Sequence, residues 1–263
     1  MRRVPVMAMA APPSAYDRAI TIFSPDGELY QVRYAFEAVR KGWTSLGILT
    51  DSGVVLAAEK RKMTPLLDLN GIEKIYKVDD HIGVTFAGMG SDGRVLIDYA
   101  RLIAVRHRLT YGEAPTTEYV AKSVADLKQL YTQHGGVRPF GVALVFGGVD
   151  ADGAPKLLRT EPGGQYFSYY AIAIGLGGDA ANSYLEKTYR KDLSLDDAIK
   201  LAIVALFKGR IASSDEKKED LASSFDEYTE IAYIDTKERT FKKVSRDVIK
   251  DLVKSSKNEM LQS

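Results

Sequence analysis

Strand pairs joined by tight turns alternate along this chain with pairs of long amphipathic helices, and few architectures accommodate that order. Thr44 to Leu49 and Val54 to Ala58 read as two strands around a hairpin turn at Asp51-Ser52-Gly53. Ile75 to Val78 and Ile82 to Ala87 repeat the plan around Asp79-Asp80. Two helical patterns follow, about Ser91 to Arg108 and about Thr116 to Gln133. The second carries Val120, Val124, Leu127 and Tyr131 on one side, with Pro115 and Thr116 as its start signal. Strands return at Phe140 to Phe146, about Lys156 to Thr160, Gln165 to Tyr169 and Ala171 to Ile174. Two more helices span about Asp179 to Tyr189 and about Leu195 to Lys208, the latter opened by the capping pair Ser194 and Asp197. The mixed-charge run Asp215 to Asp220 reads as a solvated loop. Glu230 to Ile234 and Phe241 to Val244 read as closing strands, and Val248, Ile249, Leu252 and Val253 mark a last amphipathic helix. Hairpin connections make the sheets mainly antiparallel. Paired helices then cover the outer faces of two stacked sheets. The expected fold class is α+β, a four-layer αββα sandwich of two mainly antiparallel sheets.

An extra helix precedes the sandwich. Tyr16-Asp17-Arg18 leads through a β-favouring run to the turn Pro25-Asp26-Gly27. Behind the turn, Leu29 to Gly42 reads as a helix with Val32, Phe36 and Val39 at helical spacing and Gly42 as its C-cap. No break in composition marks a second domain. The expected organisation is a flexible tail over residues 1–15, one domain over 16–257 and a C-terminal tail over 258–263. Arg2-Arg3, the apolar stretch from Val4 and Ala8-Met9-Ala10 imitate a secretory signal, but Pro5 interrupts the short apolar run, so a mobile tail is the preferred reading.

Composition excludes several function classes. A formal net charge of +1 supplies no field to recruit nucleic acid or an anionic membrane. With no cysteine, disulfides, thiolate metal sites and cysteine nucleophiles are excluded. No apolar run approaches the roughly 20 residues needed to span a bilayer.

The motifs together resemble proteasome α-type subunits, especially archaeal ones. The likeness runs from Tyr16 through Gln31-Val32-Arg33-Tyr34-Ala35 to Glu37-Ala38-Val39. It continues at Gly71-Ile72-Glu73-Lys74-Ile75, at Tyr131 to Gly141, and at Ala173-Ile174-Gly175 with Asp179-Ala180, covering roughly residues 16 to 255. The resemblance places the sandwich among the Ntn-hydrolase-like folds, in which a processed N-terminal Thr, Ser or Cys is the nucleophile and its own amine the base. In the catalytic relatives a threonine-rich start ends in the glycine matched here by Gly47. Counting back, Trp43 takes the nucleophile position, and indole accepts no acyl group. The chain also runs on upstream of it, so no free amine lies there. Glu59 and Lys74 match two companions of the catalytic set, although a Glu-Lys pair by itself reads as an ordinary salt bridge. Thr44 and Ser45 are interior strand residues without an amine. The expectation is therefore no catalytic residue in this chain. The alternative is a self-processed amidohydrolase of the same fold.

Other motifs carry less. Gly175-Leu176-Gly177-Gly178-Asp179-Ala180 fits a dinucleotide fingerprint, but the next element is a second helix and not a strand, so it reads as a strand-to-helix turn. Gly88 to Gly93 resembles a nucleophile elbow only loosely, because Met89 stands where the first glycine belongs. His81, His107 and His134 lack ligand spacing, and no cofactor or metal is expected.

The resemblance further implies a non-catalytic subunit of the 20S core particle. Seven copies form a seven-membered outer ring, stacked on rings of catalytic β subunits, in the cytoplasm. The tail plugs the pore against unfolded protein substrates, and Tyr16, Asp17, Arg18, Pro25 and Tyr34 hold it aside when the gate opens. Lys74, with Gly27, Leu29 and Arg33 nearby, receives the C-terminal carboxylate of a regulatory ATPase or activator ending in a hydrophobic-Tyr-X motif. Two departures stand out. The family usually has an acid where this chain has Arg33, and a small residue where it has Trp43.

Overall fold

The computed structural model describes residues 21 to 261. A short turn leads into α1, Tyr30–Arg40. The first hairpin follows as β1, Ser45–Thr50, and β2, Gly53–Glu59, and the second as β3, Ile75–Asp79, and β4, Ile82–Gly88. Helices α2, Gly90–Tyr111, and α3, Thr117–Leu130, come next. Then come β5, Val142–Val149, β6, Pro155–Thr160, β7, Tyr166–Ser168, and β8, Ala171–Ile174. Helices α4, Gly178–Thr188, α5, Leu195–Ala212, and α6, Lys218–Ser224, precede β9, Thr229–Asp235, and β10, Phe241–Lys243. The final helix α7 spans Arg246–Leu261.

Two five-stranded sheets result, in the orders β10-β9-β2-β1-β8 and β3-β4-β5-β6-β7. Every pairing is antiparallel. The period-two alternation of a strand decides which layer each side chain enters. In β2, Val54, Leu56 and Ala58 meet Ala143 and Val145 of β5 in the core between the sheets. The alternate residues Val55 and Ala57 pack with Ala202, Val204 and Phe207 of α5. On the other side, Val142, Leu144 and Phe146 of β5 pack with Leu96 and Ile97 of α2 and with Val120 and Val124 of α3. Burial on both faces is why β1, β2 and β5 read as continuous apolar runs and not as an alternation. The αββα sandwich is thus present, with α1 added against β4 and β5 through buried Ala35 and Val39.

Capping fixes several ends. Thr116 accepts from the Tyr119 N–H to start α3, and Ser194 accepts from the Asp197 N–H to start α5. Three expectations need correction. The run Asp215 to Asp220 is a loop only to Lys217, because Leu221 and Ala222 bury an apolar side that draws Lys218–Ser224 into α6. The tail expected from residue 258 is still helix as far as Leu261, with Met260 fully buried. Gly42 is not a left-handed cap; Lys41 closes α1 in a right-handed conformation. Gly42 is needed for close approach, since a Cβ there would lie 2.0 Å from the Gly88 backbone nitrogen.

Candidate functional site

The first hairpin and the lead into β3 bring Trp43, Thr44, Ser45, Glu59 and Lys74 to one end of the sandwich. Glu59 closes β2 and is fully buried. A buried carboxylate needs counter-charge. Arg61 donates to it from Nε at 2.6 Å and from Nη2 at 3.3 Å, and Arg210, from the last turn of α5, is its second partner. Arg210 also pairs with Glu216 and lies 5.5 Å from the Tyr228 ring. The simple Glu59–Lys74 salt bridge is therefore replaced by a two-arginine clamp.

Lys74 has a different environment. It is 4% exposed, and its Nζ donates to the Phe86 carbonyl at 2.8 Å. The ammonium lies 4.1 Å from the Phe86 ring centroid and 5.8 Å from that of Trp43. Burial pulls its pKa down to about 7, against the opposing fields of Glu59 and Glu230. Ser45 Oγ donates to the same Phe86 carbonyl at 2.8 Å, and Thr44 Oγ1 accepts from the Gly177 N–H at 3.0 Å. Both hydroxyl residues are fully buried. Their hydrogen bonds are spent on backbone, and the nitrogen of Trp43 belongs to a peptide bond. Neither hydroxyl is left unbonded for attack on a carbonyl.

The second cluster surrounds α1. Gly27 takes φ 78°, and its N–H donates to Ser24 O at 2.9 Å, closing the turn Ser24 to Gly27 with exposed Pro25 at its second position. Gly27, Leu29 and Arg33 line a groove of about 590 Å³ with Phe23, Val32 and Phe36. Arg33 pairs with Glu28 at 3.0 Å, so an acid remains beside the reversed charge. Tyr34 is half-exposed and stacks on Tyr30 with ring centroids 6.4 Å apart, away from that groove. Tyr16, Asp17 and Arg18 lie outside the described residues. A single copy of the chain thus assembles Gly27, Leu29 and Arg33, while Lys74 is not among the residues lining their groove.

Sequence reasoning missed Arg61, Arg210 and Phe86. The available signals were Glu59, a carboxylate at the end of an apolar strand that requires a cation, and Arg61 two residues on; Arg210 is 151 residues away. The glycine-rich segment after β8 is a turn pressed against α5, since a Cβ on Gly177 would lie 2.4 Å from Gly209 backbone. The three histidines are separate: His81 holds Pro115 O at 2.8 Å, His134 holds Leu130 O at 2.9 Å, and His107 lies against the rings of Tyr111 and Tyr119. No helix among the described residues is long and apolar enough to cross a membrane.

Comparison with known proteins covers the whole of this architecture. A family model for proteasome subunits matches residues 39–219, and a second, for the N-terminal signature of A-type proteasome subunits, matches residues 16–38. The chain is 61% identical over 258 residues to a proteasome alpha subunit of Aeropyrum pernix, covering 97% of this chain and 100% of the relative. It is 56% identical over 247 residues to the same-named protein of Sulfolobus acidocaldarius, covering 94% and 99%. A third such protein, from Sulfurisphaera tokodaii, is 56% identical over 239 residues, covering 91% and 96%.

Proposed function

The chain belongs to the proteasome α-subunit family, and we propose that it serves there as a non-catalytic outer-ring subunit, gating substrate access and docking regulators. The observation that carries this reading is the closed state of the would-be active site. Trp43 takes the nucleophile position, while Thr44 and Ser45 are fully buried with their hydroxyls bound to backbone. A subunit with no usable nucleophile contributes to a proteolytic particle by shape, by enclosing the catalytic rings and controlling the pore.

Two surfaces support assembly. Val95, Leu102, Val105 and Leu109 are exposed along α2, an apolar stripe suited to burial against another proteasome subunit. The α1 groove supports docking of a regulatory ATPase or activator that ends in hydrophobic-Tyr-X. In this reading Lys74 receives the terminal carboxylate, and Gly27, Leu29 and Arg33 of a neighbouring copy complete the pocket across a subunit boundary. Tyr16, Asp17, Arg18, Pro25 and Tyr34 hold the first 15 residues clear of the pore.

The test of the non-catalytic role uses the isolated full-length chain. It is expected to hydrolyse no peptide and to take no label from an electrophile directed at threonine and serine. Cleavage of a peptide by this chain, blocked by such a label on one of its residues, overturns the reading.

A further inference from the structure

The lone tryptophan of this chain sits against the lysine assigned above to carboxylate binding. Of the two rings flanking the ammonium, Phe86 is buried, at 6% exposed, whereas Trp43 is the one that reaches solvent. The backbone carrying Trp43 is pinned on both sides. Gly42 O accepts from the Leu176 N–H at 2.8 Å, and Thr44 O accepts from the Glu59 N–H at 2.8 Å. Gly175 presses so closely that a Cβ there would meet Gly42 O at 2.7 Å and Trp43 O at 2.9 Å. With the backbone on both sides of Trp43 held, its side chain is the part of this segment left free to turn.

We propose that Trp43 is a movable cover over Lys74, and that a partner's C-terminal carboxylate reaches the ammonium only after the indole turns aside. The inference rests on the docking reading and adds its regulation. With the cover closed, Lys74 holds only the Phe86 carbonyl and two aromatic faces, a poor substitute for water. The charged groups facing it are Glu59 at the end of β2 and Glu230 on β9. Glu59 is clamped by Arg61 and Arg210. Glu230 is paired with Lys243 of β10 at 2.8 Å and accepts the Lys74 backbone N–H at 2.8 Å; Lys243 also holds Glu73 at 2.7 Å. Neither carboxylate offsets the desolvation, which leaves the lysine titrating at about 7.

The sign follows from linkage. An arriving carboxylate favours the charged amine and raises its pKa. Above neutral pH, binding then takes up a proton, so affinity is highest below about pH 7 and falls as pH rises, by at most about tenfold per pH unit. Replacing the indole with a small residue hydrates the ammonium, returns its pKa toward the ordinary lysine range and flattens the dependence.

Rings assembled from the full-length chain, in which neighbouring copies complete the pocket, are titrated at pH 6 and pH 8.5 with a dye-labelled peptide ending in hydrophobic-Tyr-X and with the same peptide amidated at its C-terminus. Anisotropy reports binding, and emission of the only tryptophan reports the cover. The expected result is a red shift of Trp43 on binding the free-carboxylate peptide, with at least tenfold weaker affinity at pH 8.5. Trp43→Ser is expected to bind equally, within about twofold, at both pH values, and Trp43→Phe to keep the wild-type dependence. Binding with unchanged emission, or Trp43→Ser retaining the full pH dependence, overturns the cover while docking stands. If Trp43→Ser fails to fold, the wild-type emission alone decides. Equal binding of both peptides, no binding at all, or binding that survives Lys74→Ala, overturns the docking reading and the cover with it.

Discussion

Lys128 is among the largest fully buried side chains of the described residues and the one charged residue type among them. It stands four residues after Val124 on the apolar side of α3, where the helical repeat directs it into the core whatever its chemistry. Its Nζ lies 3.0 Å from Val142 O, 3.3 Å from Thr160 O and 2.9 Å from Thr160 Oγ1. Burial holds its pKa well below that of an ordinary lysine. Between the lowered folded value and the normal unfolded one, the unfolded chain binds the extra proton, so this residue makes stability rise with pH. Lys128→Met keeps the volume and removes the proton. The variant is expected to lose that part of the slope, at most about 1.4 kcal/mol per pH unit, in denaturant unfolding compared between pH 7 and pH 9.5. An identical slope in wild type and variant contradicts the assignment. Spacing placed Val120 and Val124 correctly, but no periodic pattern marks a lysine as buried, because its fate depends on acceptors 14 and 32 residues away.

Among the elements, α2 and α5 have opposite fates. Helix α5 is apolar nearly all round, and α4, α7 and the first sheet enclose it. Helix α2 buries Leu96, Ile97, Ala100 and Ala104 but leaves Val95, Leu102, Val105 and Leu109 exposed. Residues 95, 102 and 109 repeat every seven, a spacing that keeps one seam on a helix surface. Since Val95, Leu102 and Leu109 lie outside the core cluster that α2 joins, Leu102→Asp with Leu109→Asp is expected to shift the unfolding free energy of the single chain by no more than about 0.5 kcal/mol. Size-exclusion chromatography should nonetheless show failed assembly with other proteasome subunits. Normal particles from this double variant assign the stripe to no interface. The buried side of α2 was evident from Leu96, Ile97, Ala100, Ile103 and Ala104, whereas its exposed stripe emerges only once the sheet has claimed the other side.

At the level of the whole molecule, α1 stands outside the layers that hold the sandwich together. It reaches the core through Ala35 and Val39 and offers its groove outward. Removal of residues 1–42 is expected to leave a folded sandwich that forms no ring, while removal of residues 1–13 leaves rings with raised basal peptide hydrolysis in the assembled particle. Electron microscopy and a peptide assay on the two truncations distinguish these outcomes. Normal rings from the longer deletion defeat the assembly role of α1. A surface that meets a different patch on the next copy generates a closed ring when the rotation closes.

Local chemistry was enough to specify the order of strands and helices, the hairpin turns, the caps at Thr116 and Ser194, and a position 43 that cannot attack a carbonyl. Each depends on side-chain spacing or on the intrinsic chemistry of one residue type, and both are written along the chain. The arginine clamp on Glu59, the aromatic enclosure of Lys74, the burial of Lys128 and the separation of Lys74 from the α1 groove required folding. For Glu59, Lys74 and Lys128 the free energy of the charged group depends on at least one partner distant in sequence, and on the water that packing excludes. Packing alone brings those partners within reach.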